Sequence, residues 1–286
     1  MKHLKKISTL IILQLVVSIS FAQKQKETIN LIVETNSSNR IEFGVKKLQQ
    51  VLKEYNYKCK LITNDSIGIK GKSILIVEQK FSTSATNRKF FVKRIPKEGF
   101  QISSPRKNLI VIEGGSSVGT LYGCLALVDS IKKTSKLPAK VNVIDSPNMV
   151  MRGTCIGIQK PYYLPGRHVY EYPYTPETFP WLYDKQMWVQ YLDSLVENRM
   201  NSLYLWNGHP FASLVKLKDY PYAVEVSEAT FKKNEEIYQF ITEEADKRGI
   251  WVIQMFYNIF VSKPFAEHHN IKTQDRNRPI IPLIAD

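Results

Sequence analysis

From Met151 the chain falls into a repeat that few folds accommodate: an apolar run, a long loop, an amphipathic helix, a tight turn and another apolar run. The runs are MRGTCIGI (151–158), NSLYLW (201–206) and IWVIQMFYN (250–258). Each is nearly continuous in hydrophobic character, which predicts strands covered on both faces of a parallel sheet. Between the first two, DKQMWVQYLDSLVEN carries Met187, Trp188, Tyr191, Leu192, Leu195 and Val196 at helical spacing behind Asp184 as N-cap. Between the second and third, a helix near 231–248 turns Ile237, Phe240, Ile241 and Ala245 inward, with Thr230 as its cap and Gly249 at its end. Helix-to-strand turns are short and strand-to-helix segments are long, and in parallel α/β architectures the long side carries the site.

That asymmetry selects the candidate residues. Trp206, Asn207 and His209 stand where the second strand emerges, with Gly208 and Pro210 turning the chain away. Tyr257 and Asn258 stand at the end of the third. Arg152, at the start of the first strand, has two uses open to it: a bidentate fork on a sugar or uronate, or a buried ion pair to a neighbouring strand. The expected substrate-binding set is therefore Arg152, Trp206, Asn207, His209, Tyr257 and Asn258. The first long loop adds Tyr162, Tyr163, Tyr170, Tyr172, Tyr174, Phe179, Trp181 and Tyr183 among five prolines. Such rings suit the C–H faces of sugars or pack the loop onto a barrel rim. Glu267-His268-His269 lacks H-E-x-x-H spacing, so no metal is expected; NLIVIEGGSSVGTLYG has neither G-x-G-x-x-G nor a P-loop ending, so no cofactor is expected. Gly119 and Gly123, one turn apart, are read there as letting a helix lie close on its sheet.

The first 22 residues read as a cleaved export signal: a basic start, an apolar stretch from Ile7 to about Ile19, and Ser20-Phe21-Ala22 before Gln23. The expected location is periplasmic or secreted, with no stable membrane insertion after cleavage. The whole chain carries +14 and, without its first three lysines, still about +11. No dense basic tract marks a nucleic-acid stripe, so an oligosaccharide or polysaccharide, with an acidic one favoured by charge, is the expected partner. Cys59, Cys124 and Cys155 are too few and too scattered for a disulfide framework; buried thiols are expected, with a Cys59–Cys124 pair as the alternative. Before Asp145-Ser146-Pro147 the pattern differs. TINLIVE, KCKLIT, SILIVEQ, EGFQISS and NLIVIEG read as strands, and NRIEFGVKKLQQVLKEY (with Asn39 and Glu42 as a capping box) and SSVGTLYGCLALVDSIKK as helices, an α+β layer domain with little βαβ alternation.

EGFQI, NLIVIEGG and GTLYGCLALVDSI in the first half, with PNMVMRG and RMNSLYLWN in the second, resemble exported glycoside hydrolases in which a small α+β domain precedes a catalytic (β/α)₈ barrel, as in family 20 β-hexosaminidases and family 67 α-glucuronidases. The resemblance implies a signal peptide (1–22), an α+β accessory domain (23–146) and the first three β/α units of a TIM barrel (147–286), the barrel being incomplete because a closed one needs about 250 residues. It matches Arg152 to the family 20 arginine that holds sugar hydroxyls, and Trp206 and Asn207 to the site-facing end of the second strand. Family 20 places an Asp soon after that arginine where this chain has Gly157, which leaves room for a uronate-directed relative such as an α-glucuronidase or α-galacturonidase. The catalytic carboxylates are expected beyond Asp286, with Glu171, Glu177 and Glu267 as weak loop candidates. A β-hexosaminidase-like hydrolase and a non-catalytic glycan-binding protein are the alternatives.

Overall fold

The computed structural model describes residues 27–63, 71–79, 94–161, 173–207, 210–256 and 261–271. Residues 1–22, read above as an export signal, and Tyr162, Tyr163, Tyr170, Glu171, Tyr172, His209, Tyr257 and Asn258 lie outside the described residues. Among the described residues no helix is long and apolar enough to cross a membrane.

The first half builds a six-stranded mixed sheet. Strands β1 (Thr28–Val33), β2 (Lys58–Thr63), β3 (Lys72–Glu78), β4 (Phe100–Arg106), β5 (Leu109–Gly114) and β6 (Asn142–Asp145) lie in the order β2-β1-β3-β5-β4-β6. β1 pairs in parallel with β2 and β3, and β3 with β5, whereas β4 runs antiparallel to β5 and β6. The expected scarcity of βαβ alternation is corrected here, because helix α1 (Asn39–Glu54) carries the chain from β1 to a parallel β2. Burial explains the apolar runs: β3 and β5 are covered on both faces, Ile74, Ile76, Ile110 and Ile112 joining the main core while Leu75, Val77, Leu109 and Val111 form a second cluster with Ile32. The cap of α1 is Ser38, one residue before the expected Asn39; its hydroxyl accepts from Ile41 N–H. Helix α2 (Ser117–Thr134) is capped by Ser116. A Cβ on Gly119 would stand 2.2 Å from Gly99 O, and one on Gly123 2.6 Å from Ile112 Cγ2, so both glycines do let the helix lie close on the sheet. The four exposed residues of β6 carry no apolar period, which is why the sequence did not announce that strand.

The second half builds a three-stranded sheet, β7 (Gly153–Gly157), β8 (Ser202–Asn207) and β9 (Trp251–Phe256), all parallel and in chain order. Helices α3 (Lys185–Glu197) and α4 (Glu228–Lys247) make the crossovers, and a short α5 (Lys263–His268) follows β9 where a loop was expected. Asp184 caps α3 as its spacing predicts, accepting from Met187 N–H at 3.0 Å. For α4 the cap is Ser227 rather than Thr230, whose own N–H donates to Ser227 Oγ at 3.2 Å. One sheet face is sealed: Leu203 and Leu205 belong to a core with Trp188, Leu192, Val196, Ile237 and Ile241. The register aligns Cys155, Tyr204 and Ile253, and Gly157, Trp206 and Met255, on the other face. That face is open: Trp251 is 66% exposed, Met255 48% and Trp206 40%. All three cysteines are free; Cys124 is buried, but Cys59 is half-buried and Cys155 exposed, which corrects the expectation of three buried thiols.

The two sheets are joined by a charged seam. Lys47 on α1 donates to Asp193 (2.7 Å) and Glu197 (3.0 Å) on α3. Buried Arg248 closes on the same Asp193 (2.6 Å) and on Glu244 (2.7 Å), and Arg199 reaches Asp129 of α2 at 2.6 Å. Burial pulls the Lys47 pKa down, yet its two carboxylate partners outweigh that and leave it raised. Gly249, at φ +67°, ends α4 directly against Val118 of α2.

Candidate functional site

The carboxyl ends of β7, β8 and β9 and the segments that follow them define the candidate mouth. Trp206, next to last in β8, lies on the open face beside Gly157 and Met255. Asn207 ends the strand opposite Phe256. A large ring with an exposed surface at a strand end is chemically suited to the apolar face of a sugar.

The loops behind Trp206 are held by one buried side chain. Asn234, on α4, is fully buried. Its Nδ2 donates to Tyr174 O (3.0 Å) in the segment after β7 and to Ser213 O (2.7 Å) in the segment after β8. Its Oδ1 accepts from Tyr183 Oη at 2.5 Å. Ser213 Oγ in turn accepts from Tyr174 N–H at 3.1 Å. Burial, with Glu177 nearby, pushes the Tyr183 phenol upward, so it stays protonated and able to donate. The described rings of the first loop fill space in this assembly: Tyr174 and Phe179 are buried, meet edge-on at 6.0 Å, and Tyr174 stacks on Tyr238 at 6.2 Å.

Arg152 sits at the other end of its strand. It precedes β7, so its side chain lies where the strands begin, and the guanidinium is taken up there. Nε donates to Arg199 O (2.8 Å), Nη1 to Met149 O (2.5 Å), and Nη2 to Glu98 Oε2 (2.7 Å) and Tyr122 Oη (3.3 Å). Asn201 completes the cluster, accepting Arg152 N–H at 2.9 Å and donating to Glu98 Oε1 at 3.0 Å. An ion pair thus describes Arg152, though with Glu98 in the turn before β4 rather than with a neighbouring strand, and its expected grip on substrate is corrected: the group is spent fastening the first half of the chain to the second sheet.

The described carboxylates near the mouth do not make an acid/base pair. Glu177 is exposed, and its own backbone N–H and the Thr175 hydroxyl hold its pKa below the ordinary value, the wrong direction for a general acid. Glu267 is exposed on α5 and lies 3.8 Å from Lys263. A carboxyl with a raised pKa does exist, Glu113 at about 7, pushed up by burial, but it belongs to β5 of the first sheet. Among the described residues no three His, Cys, Asp or Glu groups converge as metal ligands. His268 and His269 join a ring cluster instead: His268 lies 4.2 Å from Tyr222, and Tyr222 Oη meets His269 Nε2 at 2.7 Å, linking the segments after β8 and β9.

Two structural residues escaped the sequence reading. Asn234 falls in the inward stripe of α4 between Phe231 and Ile237, and a lone amide in an apolar stripe was the available signal. Glu98 had none, because its partners Arg152 and Asn201 are 54 and 103 positions away.

No protein-family model and no curated protein matches the chain. Among solved structures it is similar to a GH138 enzyme targeting pectin rhamnogalacturonan II, at 52% identity and a TM-score of 0.76, over 90% of this chain and 35% of that one. Looser likenesses are a GH115 4-O-methyl-α-glucuronidase with specificity for decorated arabinogalactans (15% identity, TM-score 0.48, 80% of this chain and 29% of that one) and a Flavobacterium johnsoniae chitobiase (18%, 0.48, 79% and 30%). All three are glycoside hydrolases, and this chain spans about a third of the length of the GH138 enzyme.

Proposed function

We propose that the chain is the N-terminal part of an exported glycoside hydrolase that attacks an acidic, pectic polysaccharide. The observation that carries this reading is the 52% identity, sustained over 90% of the chain, with an enzyme targeting pectin rhamnogalacturonan II. In this reading residues 1–22 direct export, 23–146 form an accessory domain, and β7 to β9 are the first three strands of a (β/α)₈ barrel. The open face bearing Cys155, Tyr204, Trp206 and Met255 is then the barrel interior, which further strands would cover. Trp206 stacks on a sugar ring, and Asn207, His209, Tyr257 and Asn258 meet its hydroxyls and carboxylate. Glycosidic cleavage needs one carboxyl to protonate the leaving oxygen and a second to attack or to activate water. Those two groups come from later strands of the same barrel. The net charge of about +11 that remains without residues 1–22 suits a polyanionic substrate and favours a uronic acid as the sugar released.

The test is to express the gene's full reading frame and incubate the product with purified rhamnogalacturonan II, separating released sugars by anion-exchange chromatography. Release of a uronic acid is expected. Release of a neutral sugar alone would remove the uronate assignment, and no release from any pectic fraction would remove the substrate class.

A further inference from the structure

We propose that Asn234 is a positioning residue for the substrate mouth: it fixes the segment after β7 and the segment after β8 in one relative register, so that sugar meets both as a single preformed wall. The inference rests on the glycosidase reading for its substrate, and on the geometry alone for the coupling. Three features make the case. Asn234 is fully buried on α4, an element that belongs to neither loop, and it uses both amide hydrogens, one on each loop: Tyr174 O at 3.0 Å and Ser213 O at 2.7 Å. The remaining acceptor holds the Tyr183 hydroxyl, which anchors the far end of the first loop at the start of α3. The two loops also touch directly through Tyr174 N–H and Ser213 Oγ at 3.1 Å, beside the two carbonyls that Asn234 holds.

The chemistry is specific to an amide. Leu in place of Asn has a similar volume but makes none of the three hydrogen bonds; Asp presents oxygens to both carbonyls and repels them. A loop pair freed in this way must be ordered when sugar binds, so the cost falls on binding rather than on the bond-breaking step. Ser213 is set up to receive this control. Its turn is tied by Leu214 N–H to Pro210 O at 2.8 Å, and Glu225 N–H returns to Ala212 O at 2.7 Å, so the bond from Asn234 falls on a turn that is itself internally bonded.

The experiment uses the full-length protein, with Asn234→Leu and, as a milder variant that keeps the amide, Tyr183→Phe. Amide hydrogen exchange is followed by mass spectrometry over 173–178 and 210–216, binding of rhamnogalacturonan II by calorimetry, and hydrolysis by steady-state kinetics. We expect Asn234→Leu to raise exchange at least tenfold in both segments, with strands β7 to β9 unchanged, and to raise KM or Kd about tenfold while kcat falls less than threefold. Tyr183→Phe should give a smaller change in the same direction. Unchanged exchange in either segment, exchange raised uniformly across the strands, or a loss confined to kcat would overturn the assignment; if Asn234→Leu does not fold, the same criteria apply to Tyr183→Phe. Should the wild type bind but not hydrolyse this polysaccharide, the exchange and binding arms still decide the positioning role, and only the enzyme reading falls.

Discussion

Truncating Glu98 should loosen the second sheet although Glu98 stands in the turn that leads into β4 of the first. Its carboxylate accepts from Arg152 Nη2 at 2.7 Å and from Asn201 Nδ2 at 3.0 Å, and the Glu98 and Arg152 side chains are only 27% and 17% exposed. A surface pair of this kind would be worth about 0–1 kcal/mol, and breaking a fully buried one costs about 3–5 kcal/mol. The site lies between these limits. After Glu98→Ala, Arg152 keeps the carbonyls of Arg199 and Met149 but loses its only countercharge in the cluster, while one Asn201 amide hydrogen loses its acceptor. The expected loss is about 2–3 kcal/mol, or roughly 5–10 °C in Tm for a unit of this size. Glu98→Gln, which keeps an acceptor for Asn201 and gives up the charge, should lose about half as much. Urea unfolding provides the assay. All four tryptophans, Trp181, Trp188, Trp206 and Trp251, lie in the second half of the chain, so their fluorescence reports that half, while far-ultraviolet dichroism reports both. Both signals should shift together and keep their shift in 1 M salt, because the pair is largely shielded from solvent ions. A change below about 0.5 kcal/mol in the tryptophan transition would refute the claim that this cluster fastens the sheets.

Glu113→Gln tests a different burial. The Glu113 carboxyl is 3% exposed and titrates near 7 when folded against an ordinary value of 4.5, so the folded state holds its proton more tightly and wild-type stability falls as pH rises from about 4.5 to 7. The Gln variant should therefore match wild type at pH 4 and exceed it by up to about 3 kcal/mol at pH 8; parallel stability curves across that range would contradict the assignment. Gly249→Ala places a Cβ 2.9 Å from Val118 Cγ2 at a φ of +67°, and should cost about 2 kcal/mol in urea unfolding, with a loss under 0.5 kcal/mol counting against tight packing at the seam. Trp206→Ala removes the ring proposed to stack on the sugar, so the full-length protein should lose at least tenfold in affinity for rhamnogalacturonan II; retained affinity would move the sugar elsewhere.

Elements with a strong period were legible in the sequence. The apolar stripe of α3 and the runs of β7, β8 and β9 stand where their patterns put them, and Asp184 caps its helix as read. Caps elsewhere shifted by one to three residues because Ser38 and Ser227 stand just before Asn39 and Thr230 and offer a cap to an earlier first turn, and composition alone does not rank neighbouring hydroxyl and amide caps. The place of Trp206, next to last in a strand, was legible as well. Arg152 was misassigned through polarity: it comes before Gly153, and a residue that enters a strand lies at the opposite end from one that leaves it. Its true partner is Glu98, 54 positions earlier, and no local pattern encodes such a pairing.

The two ends of the second sheet consequently carry different chemistry, and the division follows from topology. Short helix-to-strand turns leave backbone carbonyls and fixed polar side chains close together where strands begin, and there Arg152, Asn201, Arg199 and Arg248 are matched with Glu98, Asp129 and Asp193 from both halves of the chain. These charges are paired, so they anchor without attracting ligand. At the other end the long segments are held by something other than strand pairing, and the buried part of that work falls to a neutral amide, Asn234, reaching up from a helix, with the Tyr222–His269 contact and the exposed Lys216–Glu228 pair outside it. A neutral anchor leaves the mouth's electrostatics to whatever lines it, whereas a charged one would bias every anionic sugar that approached. Stability is thus concentrated at the end where the first sheet grips the second, and the freedom to vary rings and polar groups is left at the end where Trp206 emerges.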